Sequence, residues 1–84
     1  MTGENAGDVR TLIAQVAKAI VDSPDQVVVE AVEEDGEKIL ELKVAEADLG
    51  KVIGKSGRTA RALRTLLSAA GIKLHQHYTL EILE

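Results

Sequence analysis

The sequence predicts a small α+β domain with the element order α-β-β-α-α-β, in which a three-stranded mixed sheet carries three helices on one face. Three observations predict this class: an amphipathic apolar stripe, two alternating strands around a tight-turn signal, and a glycine-rich segment between two further helical stretches. The chain has 84 residues, so a single domain is expected. Residues 1–7 are predicted to be a short flexible tail, and residues 8–84 the folded domain.

The first predicted helix starts after Asp8, a residue type that caps helix N-termini well. Apolar residues then recur at the spacing of one helix face, at Val9, Leu12, Ile13, Val16, Ala19 and Ile20. The helix is predicted to end before Pro24, because proline disfavours helical geometry at the residue that precedes it.

A hairpin follows, because the segments "QVVVEAVEE" and "EKILELKV" flank Asp35-Gly36, a strong signal for a two-residue turn. If Glu34 lies opposite Glu37, one face of the hairpin is entirely apolar, as a half-buried sheet requires. The pairs on that face are Ala31 with Leu40, Val29 with Leu42, and Val27 with Val44. Turn and pattern therefore predict the same register.

The second half of the chain predicts two helices and a strand. A short helix spans Glu46–Ile53, and another runs from Arg58 to Ala70, with Gly71 as its C-terminal stop. Its core stripe is predicted to be Leu63, Leu66, Leu67 and Ala70. The last strand lies within "IKLHQHYTLEILE", with Tyr78, Leu80 and Ile82 pointing inward. A crossover of about 25 residues permits parallel pairing with the second strand.

Charge is distributed unevenly along the chain. The net charge is −4, but residues 1–50 carry 12 acidic and 4 basic residues, whereas residues 51–78 carry six basic residues and no acidic one. This asymmetry indicates an anionic partner for one face, the alternative being a solvated helix face.

The segment "GKVIGKSGR", Gly50 to Arg58, lies in this basic region and superficially resembles a nucleotide-binding loop. A P-loop requires G-x-x-x-x-G-K-[ST] directly after a strand. Here three residues separate Gly50 from Gly54, Leu49 stands where the first glycine is needed, and a helical segment precedes the loop. These differences argue against a nucleotide hydrolase.

What remains is a G-x-x-G between two helices, preceded by "GKVI" and followed by "RTARALRTLL". Within the predicted element order, the chain resembles a type II KH domain over residues 8–83, and it is similar to the small bacterial single-KH RNA-binding proteins of the KhpA type. The resemblance implies binding of single-stranded RNA. It also implies a homodimer, or a heterodimer with a larger KH-containing protein, and a role in post-transcriptional regulation or as an RNA chaperone.

The residue types of the loop fit phosphate binding. Glycines let a sugar-phosphate backbone approach the loop amides, and the start of a helix attracts phosphate. The predicted RNA-binding residues are Gly50, Lys51, Val52, Gly54, Lys55, Ser56, Gly57, Arg58, Arg61 and Arg64. By the resemblance, the floor of a groove beside the loop consists of Gly50, Val52 and Ile53 and of residues of the last strand, with Ile53 mainly structural and Val52 partly facing the groove. With one Tyr and no Phe or Trp, stacking platforms are disfavoured.

Other chemistry is not predicted. The absence of cysteine excludes disulfides and thiolate metal sites. His75 and His77 form H-x-H on one face of the last strand, but two ligands do not make a zinc site. The interpretations left for them are a solvated face or a contact to RNA. We expect no enzymatic activity, no cofactor, no metal, no membrane association and a cytoplasmic location.

A second hypothesis concerns protein–protein contact. The net negative charge and small core also suit a dimerisation or adaptor module with little RNA affinity of its own. The outer sheet face, with Val28, Val32 and Ile39, would then be partly apolar and available to a partner.

Overall fold

The computed structural model describes residues 5–84, and their side chains from residue 9 onward. Within this part, three α-helices and three strands follow one another in the predicted order, which confirms the fold class. The elements are α1 (Asn5–Ile20), β1 (Val28–Glu34), β2 (Glu37–Lys43), α2 (Leu49–Ile53), α3 (Arg58–Leu74) and β3 (Tyr78–Ile82). Short 3₁₀ turns occupy Pro24–Gln26, Glu46–Asp48 and Lys55–Gly57.

Helix α1 extends further back than predicted. It includes Asn5, so the predicted tail is helical over residues 5–7, while residues 1–4 lie outside the described residues. Asp8 is therefore in the first turn and not at the N-cap. Gly7 disfavours helix by about 1 kcal/mol, but Ala6 is a strong helix former and the acidic Asp8 suits the first turn. The other end lies at Ile20, as predicted.

The sheet has the order β1-β2-β3, with β2 in the centre. Strands β1 and β2 are antiparallel in the predicted register, with Glu34 opposite Glu37 and Ala31 opposite Leu40. Strands β2 and β3 are parallel, and Leu40 also lies opposite Leu80. The crossover through α2 and α3 provides the length that parallel pairing needs.

The core lies between the helices and one face of the sheet. The buried residues of this core are Val9, Ile13, Ala17, Val21, Val27, Leu40, Leu42, Val52, Leu63, Leu67, Tyr78 and Leu80. Strand β1 is more exposed than predicted, since Ala31 is exposed and Val29 only half-buried. Being at the edge of the sheet, β1 extends beyond the area that the helices cover. Leu66 is 37% exposed, because the buried stripe of α3 runs through Ala60, Leu63, Leu67 and Gly71 and leaves it at the margin.

Tyr78 is the one aromatic residue of the chain and belongs to the core, with 6% of its surface exposed. Its hydroxyl is buried and has no hydrogen-bond partner among the described residues. A buried hydroxyl without a partner is unfavourable by about 1–3 kcal/mol. Tyr78 therefore stabilises the fold through its ring and not through its polar group.

The end of α3 differs from the prediction. The helix continues through Gly71 to Leu74, and His75 terminates it in a left-handed conformation with φ 58°. A Cβ on Gly71 would lie 2.6 Å from the carbonyl oxygen of Gln76, so the glycine permits a close approach of the returning chain. The amide of Gln76 donates to the carbonyl of Gly71 at 2.9 Å. Gly71 therefore allows the chain to turn back, and it does not stop the helix.

This longer helix changes the placement of the two histidines. His75 caps α3 and His77 precedes β3, so the prediction that both lie on one face of a strand was wrong. The Nδ1 atom of His77 lies 3.5 Å from a carboxylate oxygen of Glu37, and its side chain is largely exposed. Within residues 5–84, no group of three or more His, Cys, Asp or Glu side chains could hold a metal ion. No described helix is long and apolar enough to cross a membrane.

Candidate nucleic-acid interface

The GKSG loop is a tight turn that joins α2 to α3. The amide of Gly54 donates to the carbonyl of Gly50 at 2.8 Å and closes α2, and the amide of Gly57 donates to the carbonyl of Gly54 at 3.0 Å. Three of the four loop residues have a positive φ: 79° at Gly54, 56° at Ser56 and 73° at Gly57. Lys55 and Ser56 are exposed at the tip of this loop.

Gly54 is required by packing as well as by its backbone angles. A Cβ built on it would overlap the side chain of Thr59 and lie 2.8 Å from the Thr59 amide nitrogen. Its φ of 79° with ψ of 170° falls in a region that is nearly restricted to glycine. The first turn of α3 thus packs directly against the loop, and any side chain at position 54 would push the two apart.

The start of α3 adds positive charge to this loop. Gly57 occupies the N-cap without a side-chain hydrogen bond, so it provides no side-chain partner for the free amides of the first turn. Arg58, Arg61 and Arg64 follow at intervals of three residues, and all are exposed. Within the described residues, none of these arginines lies within 4.0 Å of a carboxylate, and neither does Lys55. Four cations and a helix N-terminus are therefore available to an anion on this side of the molecule.

A groove of about 530 Å³ lies beside the loop, between α2, α3 and the end of β3. Its apolar part consists of Ile53, Ala60 and Ile82, and Arg61 and Arg64 line its basic part. An apolar floor beside a row of cations matches the chemistry of a nucleotide, whose base and sugar are less polar than its phosphate. The last strand was predicted to contribute to this groove, but Ala60 of α3 was not.

The three predicted residues of α2 lie in different environments. Gly50 is exposed, and a Cβ built on it would meet no atom within 4 Å. Lys51 is exposed and forms an ion pair with Asp22 at 3.3 Å. Val52 has no exposed surface and belongs to the core, so the prediction that it faces the groove was wrong. Of the three residues of this helix predicted to form the groove floor, half-buried Ile53 lines the groove, whereas Gly50 and Val52 do not.

This exchange follows from the shortness of α2. The helix has five residues, too few for the apolar pattern to show which of two adjacent apolar residues faces inward. Tertiary packing determines which residue faces inward: Val52 lies in the core with residues of the sheet and α3.

Sequence reasoning did not identify Asp48, the buried acid that positions α2. The side chain is 2% exposed, and its two carboxylate oxygens accept hydrogen bonds from the amides of Asp22 at 3.2 Å and Ser23 at 3.0 Å. These bonds tie the segment after α1 to the residue directly before α2. The only signal in the sequence is an acidic residue just before a helix, which is normally interpreted as an N-cap.

The fold and the loop together define a class of protein. The structure is similar to two crystal structures of Era, with TM-scores of 0.61 and 0.62, both at 17% sequence identity and over 88% of this chain. One is Era from Aquifex aeolicus bound to GDP and aluminium fluoride, and the other is Era with MgGDPNP and nucleotides 1506–1542 of 16S ribosomal RNA. The chain spans only 29% and 28% of those Era chains. At this identity the likeness concerns the fold, and together with the G-x-x-G between two helices it defines a KH domain of the type II order.

The family follows from the sequence comparisons. The family model described as "KhpA/KhpB, KH domain" matches residues 10–82, and this chain belongs to that family. Relatives named RNA-binding protein KhpA include one from Treponema pallidum, 53% identical over 87% of this chain and 91% of its own length. Another, from Aquifex aeolicus, is 48% identical over 89% of this chain and 95% of its own length. The resemblance stated from the sequence is thereby confirmed, and these relatives are named as RNA-binding proteins, not as enzymes.

Proposed function

We propose that this protein binds single-stranded RNA without catalysing a reaction, and that the GKSG loop clamps the RNA backbone. The observation that carries the proposal is the arrangement of the loop. Lys55 and Ser56 are exposed at its tip, the arginines of α3 form no ion pair within the described part of the chain, and an apolar groove lies alongside. The relatives' common name, RNA-binding protein KhpA, supports the same partner.

The distribution of groups favours a single strand over a duplex. The cations lie in one row along α3, and they can follow one sugar-phosphate backbone while the bases turn towards Ile53, Ala60 and Ile82. A KH groove accommodates about four nucleotides of one strand and cannot admit paired bases. The proposed contacts are made by Gly50, Lys51, Gly54, Lys55, Ser56, Gly57, Arg58, Arg61 and Arg64, with the fully buried Val52 excluded.

The test is a titration of a labelled, unstructured RNA octamer, followed by fluorescence anisotropy. The variant Lys55→Asp/Ser56→Asp adds negative charge at the loop tip and should abolish measurable binding. The matched control is Ser68→Asp/Lys73→Asp, which makes the same two exchanges at exposed positions in the other half of α3. It should retain nearly all of the affinity. If both double variants bind as the wild type does, the loop is not the clamp.

The dependence of RNA affinity on salt concentration is a second test of the proposed complex. Each phosphate neutralised on a single strand contributes about −0.7 to the slope of log affinity against log salt concentration. A clamp on about four phosphates therefore predicts a slope of roughly −3. A slope near zero would mean that the phosphates are not contacted.

We also propose that the protein associates with a second copy, or with a larger KH-containing partner, through the outer side of α3. Ile72 is 78% exposed and Leu66 is 37% exposed, and both lie on this helix. A shallow depression on the same helix is lined by Leu66 with Ala62, Thr65, Arg58 and Arg61. Burying these two exposed apolar side chains in an interface would enlarge the thin core of a small domain.

Light scattering tests this association. The variant Leu66→Ser/Ile72→Ser should shift the protein from dimer to monomer at micromolar concentration. Leu83→Ser is the control, because Leu83 is 38% exposed, close to the 37% of Leu66, but lies beyond β3. A wild type that is monomeric both alone and with its KH partner would contradict the association.

The cellular role that we propose is post-transcriptional regulation in the cytoplasm, including action as an RNA chaperone. A non-catalytic protein that binds single strands changes which RNA segments are free to pair. Crosslinking to RNA in cells, followed by sequencing, tests this role: crosslinks should concentrate in unpaired segments and disappear in Lys55→Asp/Ser56→Asp.

A further inference from the structure

Strand β1 forms one edge of the sheet, and its outer side is open. The sheet order is β1-β2-β3, so β1 pairs with β2 alone, and no described strand lies on its other side. Every residue of the strand is exposed except half-buried Val29. An open edge presents a row of unpaired amide and carbonyl groups to which another chain can bond. Here that row runs along the whole of Val28–Glu34.

The hairpin turn determines which backbone groups face outward. Asp35 and Gly36 have φ 51° and 80°, and they form a two-residue turn between Glu34 and Glu37. The Glu34–Glu37 pair is therefore hydrogen-bonded across the strands, and such pairs alternate along an antiparallel ladder. The amides and carbonyls of the intervening residues of β1 point away from β2. These residues are Val29, Ala31 and Glu33.

The charge of this edge defines the chemistry of a partner. Residues 28–35 carry four acidic residues and no basic one. Glu30 lies opposite Glu41, which lies opposite Glu81, and like charges directly opposite each other are unfavourable. Within the described residues, no basic side chain lies within 4.0 Å of the carboxylate of Glu30 or Glu34. Two copies of β1 side by side would repel each other, whereas basic side chains would neutralise these carboxylates.

We infer that the free edge of β1 binds an extended, basic segment of another protein as a fourth strand of the sheet. In strand addition, backbone hydrogen bonds supply affinity and alternate side chains supply selectivity. On the outer face, Lys or Arg residues of the segment lie beside Glu30 and Glu34. On the inner face, its apolar residues cover Val29 and Ala31, which the helices leave partly or fully exposed. The segment therefore alternates basic and apolar residues.

This edge lies away from the proposed RNA site. The groove beside the GKSG loop includes Ile82 of β3, which is the strand at the opposite edge of the sheet. RNA and the basic segment therefore do not compete for one surface, and the protein can hold both at the same time.

The probe is the synthetic peptide KVKVKVK with acetylated and amidated ends, titrated into the ¹⁵N-labelled protein and followed by NMR. The amide signals of Val29, Ala31 and Glu33 should move most, because these amides gain hydrogen bonds, and those of residues 54–57 should not move. The peptide KKKKVVV has the same composition without the alternation. The peptide KVKPKVK lacks a central amide. Both should bind at least about tenfold more weakly.

Two variants of the protein separate strand addition from general charge attraction. Ala31→Pro removes an outward-facing amide without removing a bond to β2, a position where an edge strand tolerates proline. It should fold, as circular dichroism verifies, and bind KVKVKVK at least about tenfold more weakly. Glu30→Lys should also weaken binding about tenfold. Its matched control is Glu81→Lys, which reverses the other exposed charge opposite Glu41 and should stay within about twofold of the wild type.

Several results would overturn the inference. They are the absence of peptide-induced shifts in β1, equal binding of KVKVKVK and KVKPKVK, and equal effects of Glu30→Lys and Glu81→Lys. Shifts of the β1 amides that grow with protein concentration, without any peptide, would identify a second copy as the occupant and overturn it as well. None of these results would affect the proposed RNA binding, which the loop variants test separately.

Discussion

Replacing Gly54 with alanine is the substitution for which the structure makes the strongest stability prediction. The residue has φ 79° and ψ 170°, and a Cβ there would lie 2.8 Å from the amide nitrogen of Thr59. Alanine is therefore opposed both by its backbone angles and by the first turn of α3. Neither can relax without moving the loop away from the helix.

The magnitude follows from adding these two effects. Holding a side chain in this nearly glycine-only region is unfavourable by about 1–3 kcal/mol. Forcing an extra carbon into a filled site is unfavourable by about 1–3 kcal/mol more. The expected loss of unfolding free energy is about 2–6 kcal/mol. This is a large share of the stability of a domain of 84 residues, which at about 0.05–0.15 kcal/mol per residue is about 4–13 kcal/mol.

The assay is urea-induced unfolding followed by circular dichroism, with two other glycines of the same segment as controls. Gly57 has φ 73° but an open Cβ position, so Gly57→Ala should lose only about 1–2 kcal/mol. Gly50 has neither constraint, and Gly50→Ala should gain about 0.5–1 kcal/mol because alanine favours helix. Equal effects at the three positions, or a loss below 1 kcal/mol for Gly54→Ala, would refute the reasoning.

Three further substitutions test the scaffold by the same unfolding assay. Asp48→Ala should lower the free energy of unfolding by about 1–3 kcal/mol, because it leaves two backbone amides without their acceptor. The control Asp22→Ala removes only an exposed ion pair and should change this free energy by less than about 1 kcal/mol. Tyr78→Phe should be neutral or stabilising by about 1 kcal/mol, since it removes the unpaired buried hydroxyl, and a clear loss would mean that this hydroxyl has a partner. Gly71→Ala should lose about 1–3 kcal/mol through overlap with the Gln76 carbonyl, and an unchanged midpoint would contradict the close approach.

Local signals in the sequence were sufficient to predict the register of the hairpin and the first residue of α3. The Asp35-Gly36 turn and the alternation of apolar residues agree on one register, and the structure has that register. The pair of glycines before Arg58 likewise marks the start of α3. In both cases the information is contained in neighbouring residues, so no tertiary contact was needed to interpret it.

The errors concern residues whose environment is set by distant parts of the chain. Gly71 was interpreted as a helix stop because glycine often occupies that position, but it is buried inside α3 where Gln76 returns against it. Val52 and Ile53 are adjacent apolar residues on a five-residue helix, and only packing decides which one is buried. The role of Asp48 depends on amides 25 and 26 residues away, which no local pattern reveals.

The candidate site was predictable in part for the same reason. The GKSG loop and the arginines of α3 are contiguous in the sequence, and the structure keeps them together on one exposed side. The groove also needs Ile82 and Glu84, which come from the far end of the chain and join α3 only in the folded domain. Sequence reasoning therefore located the basic part of the site more completely than its apolar and acidic parts.

The central claim is that single-stranded RNA binds along the GKSG loop and the adjoining groove. The most direct measurement is an NMR titration of the ¹⁵N-labelled protein with an unstructured RNA octamer. The account predicts that amide shifts concentrate in residues 54–61 and around Ile82, and that Val28 and Val32 on the outer sheet face remain unchanged. Shifts centred on that outer face, or no shifts at all, would contradict it.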